Sequence, residues 1–404
     1  MLIKLSWRNI WRNKRRSQIV VISIIVGVVA IILMDTLSMG MIRQMLENQI
    51  GSHVGHIQIH RNGFNDNKII QNYLPDADEV EEVLKSTPEV IAFSERVLTL
   101  GLLSSATNSS GVFLVGIHPE EERNITTING SIVKGNYLSG HKREIVIGEK
   151  LAEKLGVELG DKVVAMASAL DGTIGSDVFR VVGLYQTLSS EFDKTYIYIP
   201  IQNSQKMLDL AGHISEYVFL VENTKEVQDV KLSIKNHLGE KYEVLSYRDL
   251  LPTLVMYMDL YKQTIWIFYL IIAIAMVFGI VNTMLMSVFE RIQEFGVLMA
   301  MGMKNGKLFT MILMEAFFLG VFGTIVGVLI GLIIYFPLTQ SGIDFSTFSE
   351  GLTAMGSGAI IFPILTFQGF LSALVIVPFV SVIGAIYPAI RTVRLQPVSA
   401  IRYV

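Results

Sequence analysis

The side chains that could bind a metal ion or carry out catalysis are few, and three of them are close together in the sequence. His53, His56 and His60 fall within eight residues. On a helix they would share a face that suits a metal ion, whereas on a strand only His56 and His60 would. The alternation in "HIQIH" favours a strand, and no cysteine or acidic residue is close in sequence. We therefore expect no metal site, but polar side chains on the solvent face of a strand.

Two carboxyl groups, Asp35 and Glu315, lie next to or within apolar stretches. An acidic residue at membrane depth is by default a candidate for proton transfer or binding. No second intramembrane acid or histidine accompanies either of them, and each lies near an end of its stretch. We therefore expect both to reach the membrane interface or a partner helix.

Sequence motifs for nucleotide hydrolysis or acyl transfer are missing. "GMKNGKL" contains a Gly-Lys pair, but leucine replaces the hydroxyl residue that binds Mg²⁺ and the loop glycine is missing. Neither G-x-S-x-G nor H-E-x-x-H occurs. The chain has no cysteine, which excludes disulfides, thiolate metal sites and a cysteine nucleophile. We predict that the chain is not itself an enzyme and holds no cofactor.

The composition indicates a membrane protein. Of 404 residues, 51% are hydrophobic and 17% are charged, against roughly 25% charged in soluble proteins. A spanning helix needs about 20 mostly apolar residues, and four segments qualify: 17–40, 263–289, 308–337 and 367–390. In the third segment, a near four-residue repeat of glycines suits tight helix packing; its members are Gly320, Gly323, Gly327 and Gly331.

The positions of lysine and arginine predict how the chain crosses the membrane. Six of them lie in residues 1–16, three in 290–307 and three in 391–404, whereas 308–390 contains none. Such clusters mark the cytoplasmic side. We therefore expect cytoplasmic termini, a cytoplasmic helix within 290–307, a large periplasmic domain at 41–262 and an outer loop at 338–366. The net charge of −3 gives no reason to expect a nucleic acid partner.

The large domain has an α+β pattern. "GHIQIH" and "DADEVEEVLKST" predict a strand and a helix, and "EYVFLV", "TKEVQDVKLSIKNHL" and "YEVLSY" predict strand, helix and strand. Between these two units, several strand patterns predict an inserted β-rich lobe at about 126–200. Helical patterns continue past Asp35 and begin after Pro252, which predicts two helical stalks. The expected fold class is an integral membrane protein with four transmembrane helices and a large α+β extracytoplasmic domain.

The short helix within 290–307 combines an apolar stripe with charges and ends at a glycine. A helix that simply lies on lipid would carry mainly cationic residues on its polar face. Here two of the three charges at the start of the helix are acidic, so we predict that a cytoplasmic protein docks on it. The residues of this predicted coupling site are Glu290, Arg291, Glu294, Phe295, Leu298, Met301 and Gly302.

The stretch "NTMLMSVFERIQEFGVLMAMGMKNGKLFTMILMEAFFLGVFGTIVGVLIG" resembles the core of the FtsX-like ABC transporter permease family. The family pattern has an asparagine near the end of a span, E-R-x-x-E-hydrophobic-G, a glycine turn, and a span with an early glutamate and later glycines. The opening "LSWRNIWRNKRRS" and the ending "YPAIRTVRLQPVSAIRYV" also match. The residues that carry the resemblance are Asn282, Glu290, Arg291, Glu294, Gly296, Gly302, Glu315, Gly323 and Gly327.

Within that family, the outer domain is most similar to that of the lipoprotein-releasing (Lol-type) permeases, with MacB-type permeases next. The resemblance implies a permease subunit in the bacterial inner membrane. It implies pairing with a second copy or a paralogue, and a cytoplasmic ABC ATPase dimer that holds ATP and Mg²⁺. The implied activity is mechanotransmission that extracts lipoproteins from the outer leaflet for the outer membrane. A periplasmic chaperone is a further partner of one such permease, although the hairpin "ASALDGTIGSD" is short for the hook that grasps it.

Two other functions stay open within the same family. One is MacB-type export of antibiotics, peptides or lipids. The other is transmembrane signalling to cell-wall hydrolases without transport, although such members usually have a much smaller outer domain.

For a lipid-modified substrate, we expect entry from the side between the first and second spans, which carry no charge from Ser17 to Met34 and from Gln263 to Phe289. The candidate wall residues, chosen by position and size, are Met34, Leu37, Met41, Phe268 and Ile271.

Overall fold

The computed structural model describes residues 2–12, 14–354 and 356–394, so residues 395–404 of the predicted cytoplasmic tail lie outside it. Two compact units are present. The helical unit takes its described residues from the ranges Met1–Ile42, Met258–Asp344 and Ile360–Val404. The sheet unit takes its described residues from Arg43–Tyr257 and Phe345–Ala359.

The helices vary in length from a single turn to more than ten turns. In chain order they are α1 (Leu2–Arg12), α2 (Lys14–Gln49), α3 (Ala77–Ser86), α4 (Pro119–Glu122), α5 (Glu149–Leu155), α6 (Ser190–Thr195), α7 (Ile201–Met207), α8 (Val227–Leu238), α9 (Tyr247–Leu250), α10 (Pro252–Glu290), α11 (Ile292–Ala300), α12 (Asn305–Ser341), α13 (Ser349–Ala354) and α14 (Phe367–Val393). A π-helical turn, Ile50–Val54, follows α2.

The strands lie mainly in the sheet unit. They are β1 (Ile57–Arg61), β2 (Val90–Ser104), β3 (Ser109–Ile117), β4 (Ile132–Gly135), β5 (Glu144–Gly148), β6 (Lys162–Ser168), β7 (Ile174–Tyr185), β8 (Tyr196–Pro200), β9 (Glu216–Val221), β10 (Tyr242–Ser246), β11 (Ile343–Asp344) and β12 (Ile360–Ile361). Single 3₁₀ turns occupy Ile70–Asn72, Asn129–Ser131 and Ser346–Phe348.

Within the described part of the chain, four helices, α2, α10, α12 and α14, are long and apolar enough to cross a membrane. Three of them extend well beyond the predicted spans, and α14 extends by three residues. The predicted limits followed apolarity, whereas backbone hydrogen bonding continues into the polar ends of a helix. Thus the first helix runs to Gln49 and the second begins at Pro252. The four spans and the α+β domain confirm the predicted fold class.

Glycines of α12 allow its backbone to approach α2 closely. A Cβ atom at Gly323 would lie 2.7 Å from the side chain of Ile24, and one at Gly327 would lie 2.8 Å from that of Val28. Real Cβ atoms essentially never come that near, so only glycine permits this spacing. The close packing predicted from the glycine repeat is therefore found between these two helices.

The sheet unit contains one mixed sheet, in which the described residues form ten strands. Its order is β10-β1-β9-β2-β3-β8-β5-β7-β4, and β6 pairs with β2 and β7. The two strand–helix–strand units interleave because β1 lies between β10 and β9. The strands of residues 126–200 join the same sheet through pairing of β8 with β3 and of β6 with β2. The predicted inserted lobe therefore shares its sheet with the flanking units.

Part of the predicted outer loop also belongs to the sheet unit. Within residues 345–359, the carbonyl oxygen of Gly356 accepts a hydrogen bond from Asn48, 3.4 Å away, and the Ser357 hydroxyl lies 3.4 Å from Gln44 Oε1. On either side of this segment, β11 and β12 pair with each other. The absence of lysine and arginine from 308–390 predicted that this loop is an outer one but could not predict which residues it contacts.

An ion-pair network around Arg96 is buried in the sheet unit. Its guanidinium donates to Glu122 at 2.6 and 3.1 Å and to Glu216 at 3.4 Å. A further bond of 2.6 Å goes to the carbonyl oxygen of His53. Burial alone raises the pKa of Glu216, but the hydrogen bond from His60 and the charge of Arg96 lower it to about 2. Glu216 therefore stays ionised and depends on Arg96 for compensation.

We expect Arg96→Met to destabilise the protein strongly. The substitution leaves two buried carboxylates without their cation, and breaking a buried ion pair on one side costs about 3–5 kcal/mol. The measurement is the melting temperature of the full-length protein in detergent.

Lys150→Met is the matched control, since Lys150 pairs with Glu153 on the surface of α5 and such pairs contribute little. Equal melting temperatures for the two variants would show that the buried network is not what stabilises the sheet unit.

Candidate functional site

The predicted coupling site lies at a bend between α10 and α11. Arg291 is the residue at the bend, with φ −106° and ψ 11°. Its N–H donates to the carbonyl oxygen of Val288 at 3.1 Å, and its own carbonyl accepts from the N–H of Phe295 at 3.0 Å. At the other end, the N–H of Met303 bonds to the carbonyl of Leu298 and Gly302 has φ +92°. This is a Schellman ending, for which glycine is the preferred residue.

The guanidinium of Arg291 is buried and holds α11 against α12. Its Nη1 atom lies 3.2 Å from both carboxylate oxygens of Glu315, and its Nε atom lies 3.2 Å from Glu294. The guanidinium also stacks over the ring of Phe295, 5.0 Å from the ring centroid. Because Glu315 is also buried, each member of the pair supplies the charge that makes burial of the other tolerable.

A second arginine extends this arrangement from the N-terminal helix. Arg12, the last residue of α1, forms an ion pair with Glu294. Partial burial raises the pKa of Glu294, but the hydrogen bonds from Arg12 and Arg291 lower it below its ordinary value. Arg12, Glu294, Arg291 and Glu315 thus form a continuous series of alternating charges, which we call the charge chain.

Helix α1 is positioned for this contact by its packing on α12. The Ser6 hydroxyl donates to the carbonyl of Met311 at 3.2 Å. The ring of Trp7 meets that of Phe318 edge-on, with centroids 5.8 Å apart, and Ile10 is buried in the same core. The charge chain therefore connects α1, α11 and α12 within the helical unit.

The seven predicted coupling residues do not form one exposed surface. Arg291 and Phe295 are buried, Leu298 is half-buried, and the exposed members are Glu290, Glu294, Met301 and Gly302. The expectation that Phe295 and Arg291 face a partner is wrong, because pairing with Glu315 turns this side of α11 inward.

The exposed apolar surface of α11 is formed in part by residues that were not predicted. Val297 is 47% exposed and Met301 is 71% exposed. Next to Met301 lies a groove of about 650 Å³, lined by Ile3, Leu5, Leu298, Met301, Gly302, Met303, Lys307 and Met314. Helical spacing could have identified Val297, which lies four residues before Met301 on the same face. No local signal could have identified Arg12, which is 282 residues from Glu294.

The five predicted substrate-wall residues lie on two different helices of the helical unit. Met34, Leu37 and Met41 are half-buried on α2, whereas Phe268 and Ile271 are exposed on one face of α10. A cavity of about 110 Å³ does lie among α2, α10 and α14. Its lining includes Met39, Ile42, Ile265, Trp266 and Tyr269 but none of the five predicted residues.

The three histidines make separate contacts in the sheet unit, and the expectation that they lie on the solvent face of a strand is wrong. His53 is in the π-helical turn, where its backbone and ring contact Arg96. His56 accepts from the N–H of Val221 at 3.0 Å, and His60 lies 3.2 Å from Glu216. His60 is buried because β1 is an interior strand, and His53 is buried within the π-helical turn that precedes β1. Among the described residues, no group of three potential ligands comes together.

Comparison with known proteins provides an independent assignment. A family model described as a MacB-like periplasmic core domain matches residues 17–237, more than half of the chain. A model described as an FtsX-like permease C-terminal region matches residues 266–397. The two matches together cover both units.

Similar proteins come from several transport systems. The lipoprotein-releasing system transmembrane protein LolC of Neisseria meningitidis is 23% identical over 78% of each chain. The pyoverdine export ATP-binding/permease protein PvdT of Pseudomonas fluorescens is 24% identical over 99% of this chain, which spans 59% of PvdT. A crystal structure of the periplasmic region of MacB from Actinobacillus actinomycetemcomitans matches 52% of this chain and 96% of that one, with 15% identity and a TM-score of 0.36.

Both family matches agree with the four candidate spans and the large domain between the first and the second. The chain belongs to the family with the MacB-like periplasmic core domain, and it is a multi-pass ABC transporter permease of the FtsX, MacB and LolC type.

Proposed function

We propose that this permease extracts lipoproteins from the outer leaflet of the inner membrane, using ATP hydrolysis by a separate ATPase that docks on α11. The observation that carries the docking proposal is the exposed apolar surface at Val297 and Met301 beside the groove of about 650 Å³. An exposed apolar surface next to polar residues is typical of a protein contact. The family implies an ABC ATPase partner and pairing of permeases.

The charge chain supports this role by fixing α11 within the permease. A helix that receives force from a partner must transmit it to the spans rather than move by itself. The pair of Arg291 with Glu315 connects α11 to α12, and the pair of Glu294 with Arg12 connects it to α1. A displacement of α11 would therefore act on both helices.

Similarity to LolC over 78% of both chains supports a lipoprotein as the substrate. A lipoprotein carries acyl chains, and α10 presents exposed apolar residues such as Phe268 and Ile271 to its surroundings. Similarity to PvdT over nearly the whole chain favours export of a small molecule as the second candidate. The distribution of lysine and arginine supports cytoplasmic termini and a cytoplasmic α11, in reach of an ATPase.

Reversing the charge at Glu294 tests the role of α11 in transmitting force separately from its role in docking the ATPase. We expect Glu294→Lys to abolish transport, because it places a third cation beside Arg12 and Arg291. Combining it with Arg12→Glu restores an opposite pair, and we expect transport to recover in the double variant. Transport in proteoliposomes and copurification of the ATPase are the measurements.

Met301→Asp is the matched variant for docking, since it changes an exposed residue outside the charge chain. It should release the ATPase, and Arg12→Glu should not rescue it. The proposed roles would be contradicted by a Met301→Asp variant that retains its ATPase, or by a Glu294→Lys variant that transports at the normal rate.

Photo-crosslinking tests the identity of the substrate and the route by which it enters. Crosslinkers at Phe268 and Ile271 should capture a lipoprotein in cells, because these residues share an exposed apolar face of α10. A crosslinker at Phe379, which is 66% exposed on α14, is the control and should capture little. Capture of a small molecule in place of a lipoprotein would favour export, and capture only at Phe379 would refute the route.

A further inference from the structure

Asp35 is a buried carboxylate at the end of the apolar part of α2. Its Oδ2 atom accepts a hydrogen bond from the Thr366 hydroxyl at 2.9 Å. Its Oδ1 atom accepts from the hydroxyls of Tyr269 and Tyr261, at 3.3 and 3.4 Å. All of these donors are neutral. In residues 2–12, 14–354 and 356–394, Asp35 forms no ion pair with a lysine, arginine or histidine.

The close approach of α14 shows that this carboxylate is held in place. A Cβ atom at Gly369 would lie 1.8 Å from Asp35 Oδ2, so only glycine leaves room for the carboxylate. The N–H of Gly369 in turn donates to the Thr366 hydroxyl at 3.0 Å. A carboxylate offers about four acceptor positions, and three are used here. One position on Oδ2 stays open to a further donor.

The cavity of about 110 Å³ borders this carboxylate. Its volume is well above the roughly 10–15 Å³ that a cavity needs to hold one water molecule. Its lining combines Asp35 with apolar residues such as Ile265 and Trp266, and with Lys262 at its edge. Lys262 is exposed and pairs with Asp259 at 2.8 Å. Thus the buried carboxylate of Asp35 and the exposed ammonium group of Lys262 line the same cavity.

The positions of Asp35 and Lys262 beside apolar runs of the sequence indicate that the cavity lies near the level where lipid headgroups begin. Asp35 follows the apolar run of α2, and Lys262 immediately precedes the charge-free run from Gln263 to Phe289 in α10. Tryptophan and tyrosine are enriched at this level of membrane proteins, and Trp266 and Tyr269 line the cavity here.

We propose that this cavity binds the headgroup of a membrane phospholipid that carries a primary amine. The ammonium group donates to the open position on Asp35 and supplies the missing positive charge, while the phosphate lies toward Lys262. The acyl chains then follow the exposed apolar surface of α10 beyond Trp266. This inference is independent of which substrate the permease transports.

The chemistry selects a primary amine over a quaternary one. A primary ammonium has three N–H donors and can approach a carboxylate to hydrogen-bond distance. A trimethylammonium group has no donor and would leave the open acceptor position of Asp35 unsatisfied. Phosphatidylethanolamine should therefore bind in preference to phosphatidylcholine.

Native mass spectrometry of the full-length protein in detergent tests this selectivity, with the two phospholipids carrying identical acyl chains. We expect phosphatidylethanolamine to bind about tenfold more tightly, the ratio expected for one charge-assisted hydrogen bond. Asp35→Asn should remove the preference, and Met39→Trp, which fills the cavity without changing a charge, should weaken binding of phosphatidylethanolamine. Glu47→Gln, an exposed acid further along α2, should change neither affinity.

Equal affinity for the two lipids, an unchanged preference in Asp35→Asn, or an unchanged affinity for phosphatidylethanolamine in Met39→Trp would overturn the proposal. A diacylated lipopeptide with a free amine is the second probe. If it displaces phosphatidylethanolamine and binds more tightly, the amine comes from a lipopeptide and the assignment to a membrane lipid is wrong. If it fails to displace the phospholipid, the assignment is supported.

Discussion

Burial of Arg291 between two carboxylates is the constraint on which the arrangement of α1, α11 and α12 depends. A guanidinium away from water is costly unless opposite charges surround it in good geometry. Glu315 and Glu294 meet this need, and Arg12 balances the second carboxylate. As a result, α11 cannot turn about its axis without separating buried charges, and its outer side is restricted to residues such as Val297 and Met301.

The position of Glu315 depends in turn on close helix packing. Helix α12 approaches α2 through Gly323 and Gly327 and approaches α14 through Gly320, where an added Cβ would meet Ser381 at 2.8 Å. These contacts set the position of α12, and therefore the position of the Glu315 carboxylate that pairs with Arg291. In lipid, where burial of apolar surface gives no net gain between helices, such packing and polar contacts are the main stabilising terms. The charge chain and the glycine contacts thus support each other.

Apolar runs and period-two patterns were sufficient to predict the spans and the α+β class, because both depend on local composition. Helix α11 and its glycine ending were also predictable from a short stretch of sequence. The partners of its charges were not, because Arg12 and Glu294 are distant in the sequence and meet only once α1 packs on α12. The same limit applies to the histidines, since alternation indicated a strand for His60 but could not show that β1 is interior. Helical spacing alone left open which side of α11 faces inward, so Phe295 was assigned to the wrong surface.

A double-mutant cycle between Arg291 and Glu315 tests the central claim most directly. The apparent free energy of unfolding in detergent is measured for Arg291→Met, Glu315→Gln and the double variant. Each single substitution leaves one buried charge without its partner, whereas the double variant removes both charges. The double variant should therefore be more stable than the sum of the two single effects implies, with a coupling energy of at least about 1 kcal/mol. If the two effects simply add, to within about 0.5 kcal/mol, the buried pair does not hold α11 in place and the account is contradicted.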